Sequence, residues 1–231
     1  MTESTMTTAN PLDRFSVAGR SILITGATGA LGSAASRGLA AAGARLTLAG
    51  GNAAALETLR SELVEAVDTS NITTVPIRPE SEADATSLVD AAVGAYGRLD
   101  GVLVASGMNK VAPITEMPVD VFESVMDANV KGSWLVCKAA GARLLEQGEG
   151  GSILLVSSTR GKLGHPAGYS AYCPSKAAVD LLTKTLAAEW GRAGIRVNAV
   201  APTVFRSELT AWMYADDPKG MATREAMLSR I

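Results

Sequence analysis

Six short apolar runs, each separated from the next by a helix-forming stretch, constrain this chain more than any other feature. They are SILIT (21–25), RLTLA (45–49), ITTVPI (72–77), GVLVA (101–105), SILLVS (152–157) and RVNAVAP (196–202). Most are continuously apolar, the pattern of strands buried on both faces. Between them lie LGSAASRGLAAAG, AAALETLRSELVEAV, EADATSLVDAAVGAYG, a long stretch from Val119 to about Gln147, and Tyr172 to about Gly191. Each has helix-forming composition, and many end at glycine. Right-handed βαβ crossovers then predict an α/β fold: a doubly wound parallel sheet with helices on both faces, three layers in all.

The length of 231 residues fits one domain, expected over 16–231, behind a polar N-terminal segment MTESTMTTANPLDRF. That segment has no apolar core, so residues 1–15 read as a disordered tail and not as a signal peptide. Net charge is −2, from 21 basic and 23 acidic residues, which gives no electrostatic case for nucleic acid or an anionic membrane. No apolar run approaches the roughly 18 residues of a membrane span. Cys137 and Cys173 show no metal-ligand spacing. The chain reads as cytoplasmic, with reduced thiols and no metal.

Residues 25–32, TGATGALG, follow the first strand and open the first helix. This is where backbone N–H groups can meet a pyrophosphate. Gly26 would permit the tight turn, Gly29 a close approach of phosphate, and Gly32 close packing of the helix. Thr28 and Leu31 stand beside them as further contacts. The plain alternative is a turn that uses glycine only for its backbone freedom. At the end of the second strand, where an acid reads the ribose of NAD, this chain has Gly50, Gly51 and Asn52. Either NADP or NAD fits; the missing carboxylate removes a repulsion and tips the choice toward NADP. Asn52 could serve either ribose, and Arg78 is the nearest basic candidate for a phosphate.

The strongest chemical signal is YCPSK, Tyr172 to Lys176, at the start of a helical segment. At i and i+4, phenol and ammonium project from one face. A nearby cation favours the phenolate, and a shift of about three units needs about 4 kcal/mol of differential interaction. Tyr172 would then exchange a proton with a carbonyl or alcohol. Ser157 and Ser158 close a buried strand at its ligand-bearing end, with Ser158 the candidate to bond a substrate oxygen. Asn129 sits inside a long helical stretch, where Asn is a poor choice unless its amide finds a partner. Holding water or a backbone group beside Lys176 would explain it.

With ILITGATGALG, LDGVLVASG, NVKGSW, GSILLVSS, YCPSKAAV and AAEWGRAGIRVNAVAP in order, the chain resembles the short-chain dehydrogenase/reductase family from Ser16 onward. The resemblance implies a Rossmann-type sheet, NAD(P), hydride transfer at the nicotinamide, and a dimer or tetramer built on helices near 119–147 and 172–191. By position, Asn129, Ser158, Tyr172 and Lys176 match the family's catalytic tetrad. Ser158 would polarise the carbonyl and Tyr172 would exchange the proton. Lys176 would depress that pKa and bind the nicotinamide ribose, while Asn129 would anchor a relay water. Gly107 and Pro202 fall at cofactor positions.

Departures gather on the cofactor side. Ala30 replaces a glycine, leaving the GxxGxxG spacing of the sugar-nucleotide epimerase branch. Val104, Ala105, Ser106 and Gly107 replace Asn-Asn-Ala-Gly, which suggests a lost prop for the central strand. Arg78 replaces an adenine-binding Asp, and Thr203 a glycine. His165 reads as lining the substrate mouth, and Cys173 as a small apolar filler. Arg160 and Lys162 read as solvated charges. The segment 203–225, with its aromatics, Met and Pro-Gly break, reads as a substrate lid. Nothing follows LSRI where the family continues to a seventh strand, so the C-terminal strand appears as missing and the sequence as truncated. The leading function is an NAD(P)-dependent oxidoreductase interconverting a secondary alcohol and a ketone, with polyol, sugar-acid and 3-oxoacyl substrates all open. A non-catalytic dinucleotide sensor or scaffold, and more distantly an epimerase, are the alternatives.

Overall fold

The structure, a computed structural model, describes residues 13, 15–65, 67–204 and 208–228. Most of the expected N-terminal tail (1–12 and 14) and part of the expected lid (205–207) therefore lie outside the described residues.

Strand β1 (Ser21–Thr25) is buried at every position and forms the middle of the sheet. It pairs in parallel with β2 (Arg45–Ala49) on one side and β4 (Gly101–Val104) on the other. With β3 (Ile72–Val75), β5 (Gly151–Val156) and β6 (Ile195–Val200), the order is β3-β2-β1-β4-β5-β6, all parallel. Winding reverses between β1 and β4, so the carboxyl ends of these two strands open a ligand crevice. The crossovers are α1 (Ala30–Ala41), α2 (Ala53–Val64), α3 (Glu82–Tyr96), α4 (Val119–Met126) running on into α5 (Gly132–Gln147), and α6 (Tyr172–Trp190). After β6 come a 3₁₀ segment, Glu208–Tyr214, and α7 (Pro218–Leu228).

Side-chain alternation along the strands divides the core into two layers. Leu23, Val102, Val104, Ile153 and Leu155 face a layer with Leu88 of α3, Leu144 of α5 and Trp190 of α6. Ile22, Ile24, Leu46, Leu48 and Leu103 face the opposite layer, with Ala40 of α1 and Leu56, Leu59 and Leu63 of α2. Each fully buried Leu or Ile contributes on the order of 1.5–3 kcal/mol. The sheet is thus held from both faces, as the continuous apolar runs require.

Three local readings change. β3 stops at Val75, one residue before Pro76, which has no N–H for a ladder. β5 and β6 are not buried on both faces: in β6, Ile195 and Val197 are buried while Arg196 and Asn198 are exposed. The third concerns Val104–Gly107, where no prop is lost. Ser106 Oγ lies 3.1 Å from Thr25 Oγ1, and the Ala105 N–H donates to the Thr25 carbonyl at 3.1 Å. A short polar side chain and a backbone bond tie the ends of β1 and β4 although the two asparagines of the family pattern are absent.

Gly32 has the tightest surroundings in the turn after β1. A Cβ there would collide with the carbonyl of Gly26 and come within 2.9 Å of the Ala27 Cα, both backbone atoms that cannot swing aside. Gly32→Ala should therefore lower the urea midpoint by an amount equivalent to about 1–3 kcal/mol, despite alanine's better helix propensity. An unchanged or raised midpoint would show that α1 is free to move off the turn.

Candidate active site

The turn between β1 and α1 is a cradle shaped by missing side chains. Gly26 has φ +65°, and a Cβ on it would sit 2.6 Å from the Ser106 nitrogen. Gly29 is exposed and extended at the N-cap of α1, with no side-chain cap and no acid in the first turn. The first backbone bond into the helix runs from the Ser33 N–H to the Gly29 carbonyl at 2.8 Å. The helix start ahead of it lies at the carboxyl end of β1, a favourable place for an anion. Thr28 and Leu31 are half-buried beside them, and Ala30 is exposed, so the glycine it replaces is not needed for packing. Uncapped amides beside glycine-cleared space fit the pyrophosphate of a dinucleotide.

At the end of β2, Gly50 is buried and donates its N–H to the Val75 carbonyl at 3.3 Å. The Thr28 Oγ1 lies 3.7 Å from where a Gly50 Cβ would be. Asn52, a candidate to serve a ribose, caps α2: its Oδ1 accepts from the Ala55 N–H at 3.0 Å. Arg78 reaches back from the end of β3 and lies across Gly51, its side chain filling the space a Cβ there would need.

Toward β4 and β5, the four residues matched to the tetrad converge. Asn129 is wholly buried within a π-helical turn, Asp127–Lys131, that interrupts the expected single helix between α4 and α5. Its Nδ2 donates to the Met108 carbonyl and to Ser175 Oγ, both at 2.9 Å, and its Oδ1 accepts from the Met108 N–H at 2.8 Å. The side-chain amide bonds protein groups and fastens the loop after β4 to α6. The alternative role, holding a backbone group near Lys176, is the one the geometry supports. Gly107 stands between them: a Cβ there would be 2.8 Å from Asn129 Oδ1 and 3.4 Å from Lys176 Nζ.

Lys176, 5% exposed, donates to the Val156 carbonyl at 2.8 Å. Its Nζ lies 5.7 Å from the Tyr172 ring centroid. Burial drives the lysine down to about 8, with Asp180 acting in the opposite sense. The Tyr172 phenol moves the other way from the sequence expectation. Burial pushes it above its ordinary value, and the group that pulls it back is the Ser158 hydroxyl, not Lys176. Ser158 also accepts from the Arg160 N–H at 3.2 Å and leans its hydroxyl toward the Pro202 carbonyl at 3.5 Å. Pro202 thus borders the site through its backbone. Ser157 turns inward, bonding the Lys176 carbonyl at 3.2 Å, which leaves Ser158 as the serine facing Tyr172.

Sequence reasoning missed several supports. Ser175 links Asn129 to the Tyr172 carbonyl, donating to it at 2.8 Å; its position next to Lys176 in YCPSK was the available signal. The loop before α6 is pinned to the loop after β4 by the Ala112 N–H to Gly168 carbonyl bond, 3.0 Å, with Gly168 at φ +75°. Rings then step from His165 to Tyr169 (4.8 Å) to Tyr172 (6.1 Å), so His165 connects to Tyr172 through one intervening ring. Cys173 is half-buried with Sγ 3.8 Å from the Leu163 carbonyl, and Lys162 pairs with Asp180 at 3.2 Å. Among the described residues, no cluster of His, Cys, Asp and Glu could hold a metal ion, and no helix is long and apolar enough to cross a membrane.

A glycine-cleared turn at the switch point, with a buried lysine and a tyrosine nearby, is the arrangement expected of a dinucleotide-binding α/β oxidoreductase. Residues 20–217 match the short chain dehydrogenase family. An uncharacterised oxidoreductase of Mycobacterium tuberculosis is 69% identical over 220 residues, 95% of this chain and 80% of that protein. The structure of NAD+-bound xylitol dehydrogenase shares 30% identity at a TM-score of 0.79, covering 86% of this chain and 75% of that one. That of a Burkholderia cenocepacia gluconate 5-dehydrogenase in complex with NADP and tartrate shares 28% at 0.81, covering 90% and 80%. The chain belongs to the short-chain dehydrogenase/reductase family.

The buried Lys176 carries a pH signature. Its folded-state pKa, about 8, lies below the ordinary 10.5, so the fold binds fewer protons there than the unfolded chain does. The cost is full below pH 8, falls as pH rises toward 10.5 and vanishes above it. Urea midpoints of wild type and Lys176→Met, compared near neutrality and near pH 10, should show wild type gaining on the variant at the higher pH. A gap independent of pH would mean that the ammonium is not desolvated.

Proposed function

We propose that the protein interconverts a secondary alcohol and a ketone by hydride transfer, with Tyr172 as the acid and base. The observation that supports this best is the convergence of Ser158, Tyr172 and Lys176 beside Gly107, at the crevice that holds the glycine cradle. A bound NAD(P) would supply or accept the hydride. Gly26, Thr28, Gly29, Leu31 and Gly32 would hold its pyrophosphate. Gly50 would leave room for the adenosine ribose, and Gly107, Lys176 and Pro202 would border the nicotinamide ribose. Of the two forms, NADP is the one favoured.

Ser158 donates to the substrate oxygen and holds the reacting carbon in place. Tyr172 gives its proton to that oxygen on reduction and removes one on oxidation. Burial holds the phenol high and the Ser158 hydroxyl eases it, so proton loss in the reaction calls for a further favourable charge nearby. Lys176 supplies a cation for it when charged, and Asn129 acts at one remove by holding Ser175 and the Met108 backbone. The segment Glu208–Tyr214 with α7 is the lid, tied together by Arg224, which donates to the Met213 and Ala215 carbonyls at 3.1 and 2.8 Å. Xylitol and gluconate, named for two similar structures, make polyols and sugar acids the first substrates to try. Exposed Trp134 and Leu145 on α5 and Leu181 on α6 support a homodimer or homotetramer, and the proposed setting is the cytoplasm. No feature of the site favours a non-catalytic sensor.

Tyr172→Phe removes the phenolic hydroxyl, and with it the exchangeable proton and the bond to Ser158. Turnover on any substrate found should fall by roughly 10²-fold or more, while dinucleotide affinity in a fluorescence titration stays near that of wild type. Retained turnover would remove Tyr172 from the proposed role.

A further inference from the structure

We infer, on the dinucleotide reading above, that Arg78 and Gly51 form a subsite for the 2′-phosphate of NADP, with the guanidinium supplied from the end of β3. The end of β2 is where the adenosine ribose is read in this architecture. Here neither Gly50 nor Gly51 presents a side chain, and the first turn of α2 holds no acid. Arg78 fills that gap from the neighbouring strand. Its side chain crosses Gly51 so closely that any Cβ at 51 would strike Nε, Cδ and Cγ. The glycine and the arginine are therefore complementary: one clears the path that the other occupies.

The backbone beyond β3 builds this approach. The Ile77 N–H bonds the Val75 carbonyl at 2.8 Å, and the Glu80 N–H bonds the Arg78 carbonyl at 2.9 Å, two tight turns in succession. They leave Arg78 exposed, and among the described residues its side chain has neither ion pair nor hydrogen bond. By contrast, Arg37, Arg60, Arg98 and Arg143 each pair with a carboxylate. An unpaired guanidinium with its fork of donors, beside a helix start, matches a phosphate dianion. Asn52 caps only the Ala55 N–H, and the next bond is from the Leu56 N–H to the Asn52 carbonyl. The amides of Ala53 and Ala54 remain to face the same anion.

The test is a parallel fluorescence titration of the full chain with NADPH and NADH, for wild type, Arg78→Leu and Arg78→Lys. Competition by 2′-AMP and 5′-AMP is measured alongside on wild type. Wild type should prefer NADPH and be competed better by 2′-AMP. Arg78→Leu should lose roughly 10- to 100-fold in NADPH affinity with little change for NADH, and Arg78→Lys should restore part of it. An equal loss for both cofactors would overturn the inference, because the guanidinium would then lie against the adenine shared by both. A wild type indifferent to the 2′-phosphate would overturn it too. Failure to bind either dinucleotide would refute the broader cofactor reading as well, so the two failures are separable.

Discussion

The buried amide of Asn129 is the junction on which the site depends. With no exposure to water, each of its polar atoms needs a partner, and leaving one unpaired costs about 1–3 kcal/mol. It finds them on two elements at once, the backbone at Met108 and the hydroxyl of Ser175. Loop and helix are thereby held in one relative position. Since Ser175 also bonds the Tyr172 carbonyl, the first turn of α6 inherits that position, and with it the tyrosine and lysine. The π-helical turn is the backbone deformation that brings Asn129 to this point, which a regular helix would direct elsewhere.

Around that junction, burial and polarity are balanced against each other. Lys176 sits among the carbonyl of Val156, the tyrosine ring and the core, so its charge is weakly supported. Tyr172 is raised by the same burial and eased by Ser158. Neither group is at rest in its usual protonation range, as expected where a proton is to be moved. The sheet holds these groups in place because each of its faces packs on an extensive apolar layer and the ends of β1 and β4 are tied by Thr25 and Ser106.

Periodicity and composition made the architecture legible. The runs at 21–25 and 45–49 match their strands residue for residue, because each has an apolar centre and is followed directly by glycine. β3 was overextended by reading Ile77 as continuous with Val75, across a proline that ends the ladder. The four candidate residues could be named because the spacing in YCPSK, a strand end and the family resemblance pointed to them, and the structure brings them near one another. What spacing could not convey was direction: whether Asn129 faces water or backbone, whether Asn52 faces a ribose or its own helix, and how deeply Tyr172 is buried. Those depend on contacts between segments far apart in the chain. The crossing of Arg78 over Gly51 is of the same kind, since the two residues belong to different strands.

Gly132 opens α5 immediately after the π-helical turn, and its bare Cα lies against the segment that follows Arg78. A Cβ there would be 3.4 Å from the Pro79 carbonyl oxygen and 3.8 Å from its ring. The loop bearing the guanidinium and the turn bearing Asn129 therefore rest on one another across a single glycine. That contact works as a spacer gauge: it sets the separation between the place where an adenosine end would be gripped and the place where a proton would move. A ligand spanning the crevice would be measured for length as well as recognised at its two ends.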